Sequence, residues 1–225
     1  MFSIKQIYRF YNIYNLLFKE NFKKKLNFNW NNYSKRFQII NKIIKKKQYK
    51  KYLEIGCFED ENFNKISAEI KVGVDPKSGG NLKMTSDEYF NKFNDHHDLI
   101  FIDGLHNFDQ VKKDIENSLK ALNDNGVILV HDCLPQRIRD QMLPRSHEHW
   151  NGDVWKAIVQ MRTRKDVDVY TCLADEGIGV IFKRNNKNLL DIKINDFKKL
   201  KFRDYYSNYK EYMNIISEDD LLKII

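Results

Sequence analysis

The sequence predicts an α/β fold: a doubly wound, mostly parallel sheet ending in an antiparallel strand pair, with helical extensions at both termini. Three observations carry this. Short apolar runs at residues 52–55, 71–74, 99–102 and 127–130 have the length and near-continuous apolarity of parallel strands buried on both faces. Between the last two runs, Phe108, Val111, Ile115, Leu119 and Leu122 recur three or four residues apart, which is one face of a helix, and Asn125-Gly126 reads as its C-terminal punctuation. Residues 154–164 read as a further helix. Residues 167–172 and 178–182 then flank Asp175-Glu176-Gly177 as a hairpin-like pair of strands. Strands alternating with helices and closing on an antiparallel pair imply the doubly wound arrangement.

This alternation occupies residues 50–184, the expected domain. Residues 1–49 form an aromatic, basic extension without Gly or Pro that reads as helical, with Ile4, Ile7, Tyr8, Tyr11 and Phe18 at helical spacing. Two uses suit it. The helix could pack on the domain or on a partner subunit in a homo-oligomer, or residues 1–30 could lie on a membrane surface with Lys23, Lys24 and Lys25 facing anionic lipid. Residues 185–225 form a tail, polar and basic and then helical, with Leu189, Leu190, Ile192 and residues 221–225 available to dock on the core.

No run approaches the roughly 18 uninterrupted apolar residues of a membrane span, and the amino terminus lacks a signal-peptide pattern, so a cytoplasmic protein is expected. Cys57, Cys133 and Cys172 form no CxxC, which argues against a zinc site or a disulfide framework. The net charge of +8 comes from 39 basic and 31 acidic residues, with Lys runs ahead of the domain. That suits nucleic acid or anionic lipid, but a sequence this rich in Lys, Asn and Ile also suits a plain compositional bias.

The first strand ends in Glu54-Ile-Gly56-Cys-Phe58 and the second in Val74-Asp75-Pro76. Ligands of open α/β sheets bind beyond the carboxyl ends of the strands, where an acid can hold ribose hydroxyls. Asp75 follows the glycine turn by about twenty residues, the interval of a nucleotide-binding βαβ unit. The turn has only Gly56 where a dinucleotide fingerprint has three glycines, and Asp60 and Glu61 would repel a pyrophosphate at a helix start. A cationic sulfonium cofactor tolerates those acids.

Tyr52-Leu-Glu54-Ile-Gly56 resembles motif I of class I S-adenosylmethionine-dependent methyltransferases. Gly73-Val-Asp75-Pro76, Met84-Thr-Ser-Asp87-Glu88, Ile102-Asp103-Gly-Leu-His106 and Val130-His131-Asp132 follow in that family's order over about residues 50–182. Together they resemble the branch of metal-dependent O-methyltransferases acting on sugars and small natural products. The resemblance implies a Rossmann-like fold and S-adenosylmethionine as cofactor. Glu54 and Gly56 would lie beside its methionine part, Asp75 at the ribose, and Ser86 and Asp87 near the adenine after a third strand. The later small residue of motif I is missing around Asp60.

Asp103 and Asp132 end strands that are neighbours in that order, so their carboxylates converge. Two close carboxylates repel unless one is protonated or a cation sits between them. Magnesium accepts such oxygen ligands, and Asp103, Asp132 and His131 are the expected metal set. His106 is the candidate general base, with Asp103 beside it as a second catalytic group. The long connection from Cys133 to Trp150, with Pro135, Arg137, Arg139, Pro144, Arg145, His147 and His149, suits a lid or acceptor site, and Asp153 suits the first turn of the next helix. His147-Glu-His149 reads as an exposed polar loop rather than a metal site. The reading is a methyltransferase acting on a hydroxyl of a sugar, glycan or small metabolite. Two alternatives stand beside it: a nucleic-acid methyltransferase, which lacks a supporting motif, and a non-catalytic scaffold retaining the fold.

Overall fold

A computed structural model describes residues 3–225. The expected extension and membrane-facing segment begin at residue 1, so residues 1 and 2 lie outside the described residues. The sheet has seven strands: β1 (Lys51–Ile55), β2 (Ile70–Val74), β3 (His97–Ile102), β4 (Leu122–Val130), β5 (Asp168–Cys172), β6 (Ile178–Phe182) and β7 (Ile215–Ile216). Their order is β2-β1-β3-β4-β6-β5-β7. The first four are parallel, β6 runs antiparallel to both β4 and β5, and β7 adds a short parallel edge on β5. The α-helices among the described residues are α1 (Ile4–Phe18), α2 (Arg36–Lys47), α3 (Ser86–Lys92), α4 (Phe108–Lys120), α5 (Ile138–Gln141), α6 (Val154–Arg162), α7 (Phe202–Met213) and α8 (Glu218–Ile224).

Side chains alternate across the strands, so each apolar run feeds two cores. Leu53, Ile55, Ile100, Ile102, Ile128 and Val130 pack with Val111 and Ile115 of α4, Trp155 and Ile158 of α6, and Phe202 and Tyr205 of α7. Tyr52, Leu99, Phe101, Val127 and Leu129 face the other way and pack with Ile39, Ile40, Ile43 and Ile44 of α2 and Leu221 of α8. Burying those four isoleucines contributes on the order of 6–12 kcal/mol before ordering entropy is subtracted. The terminal segments thus complete one face of the sheet, and β7 caps its edge. Cys57, Cys133 and Cys172 are buried free thiols.

Several local expectations are corrected. The N-terminal region is not helical throughout: between α1 and α2 the chain is extended apart from a 3-10 turn at Trp30–Asn32. Leu26 N–H donates to the Gln136 carbonyl and Phe28 N–H to the Gln136 side chain, so long-range bonds satisfy this backbone. The β1–β2 crossover holds a single 3-10 turn, Phe63–Lys65, rather than an α-helix, so no helix start exists there to attract or repel a phosphate. The strand expected before Ser86 is reduced to one bridge between Val74 and Leu82. Thr85 begins α3 almost at once, its hydroxyl accepting from Glu88 N–H and its own N–H donating to the Glu88 carboxylate. Asn125-Gly126 does not end α4, which stops at Lys120. It sits inside β4, where Asn125 takes φ +61 beside a register irregularity. Leu122 accordingly belongs to that strand. Among the described residues no helix is long and apolar enough to cross a membrane.

Candidate active site

A cleft of about 770 Å³ opens at the carboxyl ends of the four parallel strands, and Glu54, Gly56, Asp75, Ser86, Asp87, Asp103, His106, His131 and Asp132 all line it. The topology does this: each of these residues ends a parallel strand or lies in the segment just beyond it.

Gly56 holds the two halves of the cleft together. Its φ is +87, and a Cβ there would run into the carbonyl oxygen of Asp103 and lie 2.5 Å from Gly104 Cα. The glycine is therefore required by the close approach of the β1 and β3 ends, secured by Asp103 N–H donating to the Ile55 carbonyl at 2.8 Å. Glu54 is buried, accepting from the Tyr52 hydroxyl at 2.5 Å and from Asn62 Nδ2 at 2.9 Å through the same oxygen. Burial pushes its carboxyl up to about 7, against the two hydrogen bonds that lower it.

Asp75 is committed to backbone donors. Oδ1 accepts from the N–H groups of Lys77 and Ser78, and Oδ2 from that of Phe58. Burial alone would raise its pKa, and these amides overcome that and lower it. A carboxylate has about four lone-pair positions, so one remains, on Oδ2, for a ligand hydroxyl. At the far end, Gln110 Nε2 lies 3.2 Å from Ser86 Oγ, 3.3 Å from Asp87 and 3.0 Å from Asp114, while Lys113 pairs with Asp87 at 2.6 Å. Asp114 is buried, which raises its carboxyl to about 6 against the bonds from Ser86 and Gln110.

The reaction end is a dense charge cluster. His131 Nδ1 lies 3.2 Å from Asp103 Oδ1 and 3.5 Å from Asp132 Oδ2, and ligand atoms of these three residues all fall within 4.8 Å of one another. His106 sits between the carboxylates, 3.0 Å from Asp132 and 3.4 Å from Asp103, with its ring stacked on Trp150 at 5.4 Å. Two further groups close the cluster. Arg36, at the start of α2, lies 3.6 Å from Asp103 and 3.3 Å from Asp175, and Asn151 Nδ2 bridges Asp132 and Glu176 at 2.7 Å each. Burial disfavours charge throughout, but mutual attraction wins: Asp103 and Asp132 are held below the usual carboxylate range and His131 is raised. His106 is raised to about 9, because Asp132 and then Asp103 outweigh its desolvation. The two carboxylates thus favour the protonated ring, where its ordinary pKa led to the expectation of a neutral base.

Residues 37–133, nearly all of the structure from α2 through β4 and its following turn, match a family model described as a methyltransferase domain. Over that stretch, less than half of its length, the chain is similar to a methyltransferase domain. A search of curated proteins gave no match. Among solved structures, similarity extends to a Staphylococcus aureus protein provisionally titled a caffeoyl-CoA O-methyltransferase (15% identity, 81% of this chain and 93% of that one, TM-score 0.52). It extends also to a Klebsiella pneumoniae protein provisionally titled an O-methyltransferase (12%, 81% and 100%, 0.51), and to cofactor-bound Rv0187 from MTB (14%, 68% and 82%, 0.51). At these identities the likeness is one of fold.

Beyond β4 the chain builds the outer wall of the cleft from the connection expected to serve as a lid or acceptor site. That loop is ordered around buried Asp140, which accepts from Arg137 N–H at 2.8 Å and faces His147 Nε2 at 3.0 Å. Gly152 (φ +65) passes so close to the His106 carbonyl that no side chain fits. Trp150 lines the cleft, with Arg145 5.6 Å from its ring centre, whereas Trp155 is wholly buried. Asp153 does not bond its own helix start; its carboxylate accepts from Phe108 N–H at 2.7 Å and caps α4. Sequence reasoning missed Arg36, Asn62, Gln110, Asp114, Asn151, Asp175 and Glu176. Only the adjacent acids of Asp175-Glu176-Gly177, at a turn between strands, carried a readable signal.

Proposed function

We propose that this chain is an S-adenosylmethionine-dependent O-methyltransferase whose acceptor is a hydroxyl of a sugar, glycan or small metabolite. The observation that carries the reading is continuity: one cleft joins the Gly56 and Asp75 loops to the Asp103, His131 and Asp132 cluster. Cofactor and acceptor would thus meet without crossing protein. The cleft volume lies within the range of small-molecule sites.

In the reaction, the acceptor oxygen attacks the methyl carbon in line with the departing sulfur. The C–O bond forms, the C–S bond breaks, the sulfonium becomes a neutral thioether, and the hydroxyl proton is lost. Glu54 and Asp75 offer acceptors to the ammonium and ribose ends of the cofactor. Trp150 offers an aromatic face to the acceptor. The donor set of two carboxylates and one imidazole fits a divalent cation such as magnesium, with Asp103, Asp132 and His131 as its holders. Such an ion would lower the hydroxyl's pKa and compensate the carboxylates that hold His106 protonated. We assign proton acceptance to His106, with Asp103 and Asp132 orienting its ring.

Calorimetric titration with S-adenosylhomocysteine, with and without magnesium, tests the proposal. One-site saturable binding supports it. No binding in either condition refutes it in favour of a scaffold that keeps the fold.

A further inference from the structure

Helix α1 presents an apolar surface that nothing among the described residues covers. The stripe facing the domain is Tyr8, Tyr11, Asn12, Asn15 and Leu16; Asn15 is buried and donates through Nδ2 to the Pro144 carbonyl at 3.2 Å. At 100° per residue, Ile4, Ile7, Phe10, Ile13, Tyr14, Leu17 and Phe18 occupy roughly the opposite half of the helix. All seven are exposed, Phe10 at 64%, Leu17 at 71% and Phe18 at 73%. An apolar face of this size on an anchored helix calls for a partner surface.

The charge around it identifies the partner. Arg9 borders the apolar arc, Lys19 ends the helix, and Lys23, Lys24 and Lys25 follow in the irregular stretch beyond it; all five are exposed. The lone acid of this region, Glu20, is turned away, accepting from the N–H groups of Phe202 and Arg203 at 2.7 and 3.0 Å. A second copy of the chain is the poorer fit, because a twofold interface sets the same basic surface against itself. At about 22 Å the helix is too short to cross a bilayer but suits lying along one.

We propose that α1 docks in the plane of an anionic phospholipid bilayer, its apolar arc among the acyl chains and Arg9, Lys19, Lys23, Lys24 and Lys25 on the headgroups. Through Asn15 and Pro144 the docked helix holds the lid loop, and with it Arg145 at the cleft mouth, close to the lipid surface. This goes beyond the proposed activity and does not depend on which acceptor is methylated.

The test is cosedimentation of the full chain with vesicles of phosphatidylcholine alone, or of phosphatidylcholine mixed with phosphatidylglycerol. Partition into the mixed vesicles is expected, falling as salt rises. Phe10→Ser with Leu17→Ser should weaken it at least about tenfold, and Lys23→Gln with Lys24→Gln and Lys25→Gln on the order of tenfold or more. Both sets change exposed side chains, so an unaltered melting temperature and unaltered S-adenosylhomocysteine titration serve as folding controls. No partition, or equal partition into both vesicle types, overturns the proposal. So does a lipid-free dimer, seen by sedimentation velocity, that the Phe10→Ser and Leu17→Ser pair abolishes.

Discussion

Replacing Gly56 by alanine tests the claim that the cleft is set by the close approach of the β1 and β3 ends. The new Cβ would meet the Asp103 carbonyl oxygen and stand 2.5 Å from Gly104 Cα, on a residue whose φ is +87. Left-handed backbone on a non-glycine residue costs about 1–3 kcal/mol. Carbon atoms pack at about 3.5–4.0 Å, so the two ends must part by roughly 1 Å, which overpacking data put at about another 1–3 kcal/mol. The sum, about 2–6 kcal/mol, corresponds to a melting temperature lower by roughly 4–24 °C for a chain of this size. Separation also strains the bond from Asp103 N–H to Ile55, so S-adenosylhomocysteine affinity should fall with stability. Gly104→Ala is the control across the same contact: its Cβ meets only Ile55 Cγ2 at 3.4 Å, with no positive φ. It should cost under about 1 kcal/mol. Urea denaturation of both variants decides. Equal losses, or a loss below about 1 kcal/mol for Gly56→Ala, would refute the reasoning.

The other expectations follow from the cleft and its wall. Asp75→Ala should weaken S-adenosylhomocysteine binding roughly tenfold to hundredfold, the value of one charge-assisted hydrogen bond, and equal affinity in calorimetry would remove Asp75 from the ribose. Asp132→Ala should leave that affinity within about threefold while turnover drops on the order of a hundredfold or more; matched losses would place Asp132 with the cofactor instead. Trp150→Ala should raise the acceptor KM about three- to tenfold, and an unchanged KM would take the ring out of the acceptor site. Burial opposes ionisation of Asp140, but His147 and Arg137 outweigh it and lower its pKa. Because the folded value is depressed, its contribution is present above the unfolded pKa of about 3.9 and is lost as pH falls through the folded value. The stability gap between parent and Asp140→Asn proteins, read from urea midpoints, should therefore be wide at pH 7 and close in acid; a pH-independent gap would count against it.

The sheet was legible because its strands are buried on both faces, which writes them as short continuous apolar runs. The strand-end residues were legible for a related reason: a parallel sheet delivers the ends of successive strands to one edge, so Gly56, Asp75, Asp103 and Asp132 could be grouped without knowing a single distance. What could not be read was supplied from far along the chain. Arg36 belongs to a helix whose periodicity announces only its isoleucines, and no local pattern shows that its first residue reaches Asp103 across the sheet. Asp175 and Glu176 looked like turn formers, which they are; their approach to His131 and Asp132 depends on β6 pairing antiparallel with β4. His106 was found by position but not by protonation state, since its pKa depends on two carboxylates and their distances rather than on residue type.

Asp132, Asp175 and Glu176 all hold positive φ, at +62, +35 and +66, side by side in the charge cluster. Each is a position where glycine would relax the backbone and where the carboxylate is nonetheless kept. Glycine would relieve about 1–3 kcal/mol of backbone strain at each, but it would also leave His131, Arg36 or Asn151 without a buried partner, a loss of similar or greater size. The strained corner is thus locked from both sides: the charges keep the backbone in its unfavourable conformation, and that backbone keeps the charges in place.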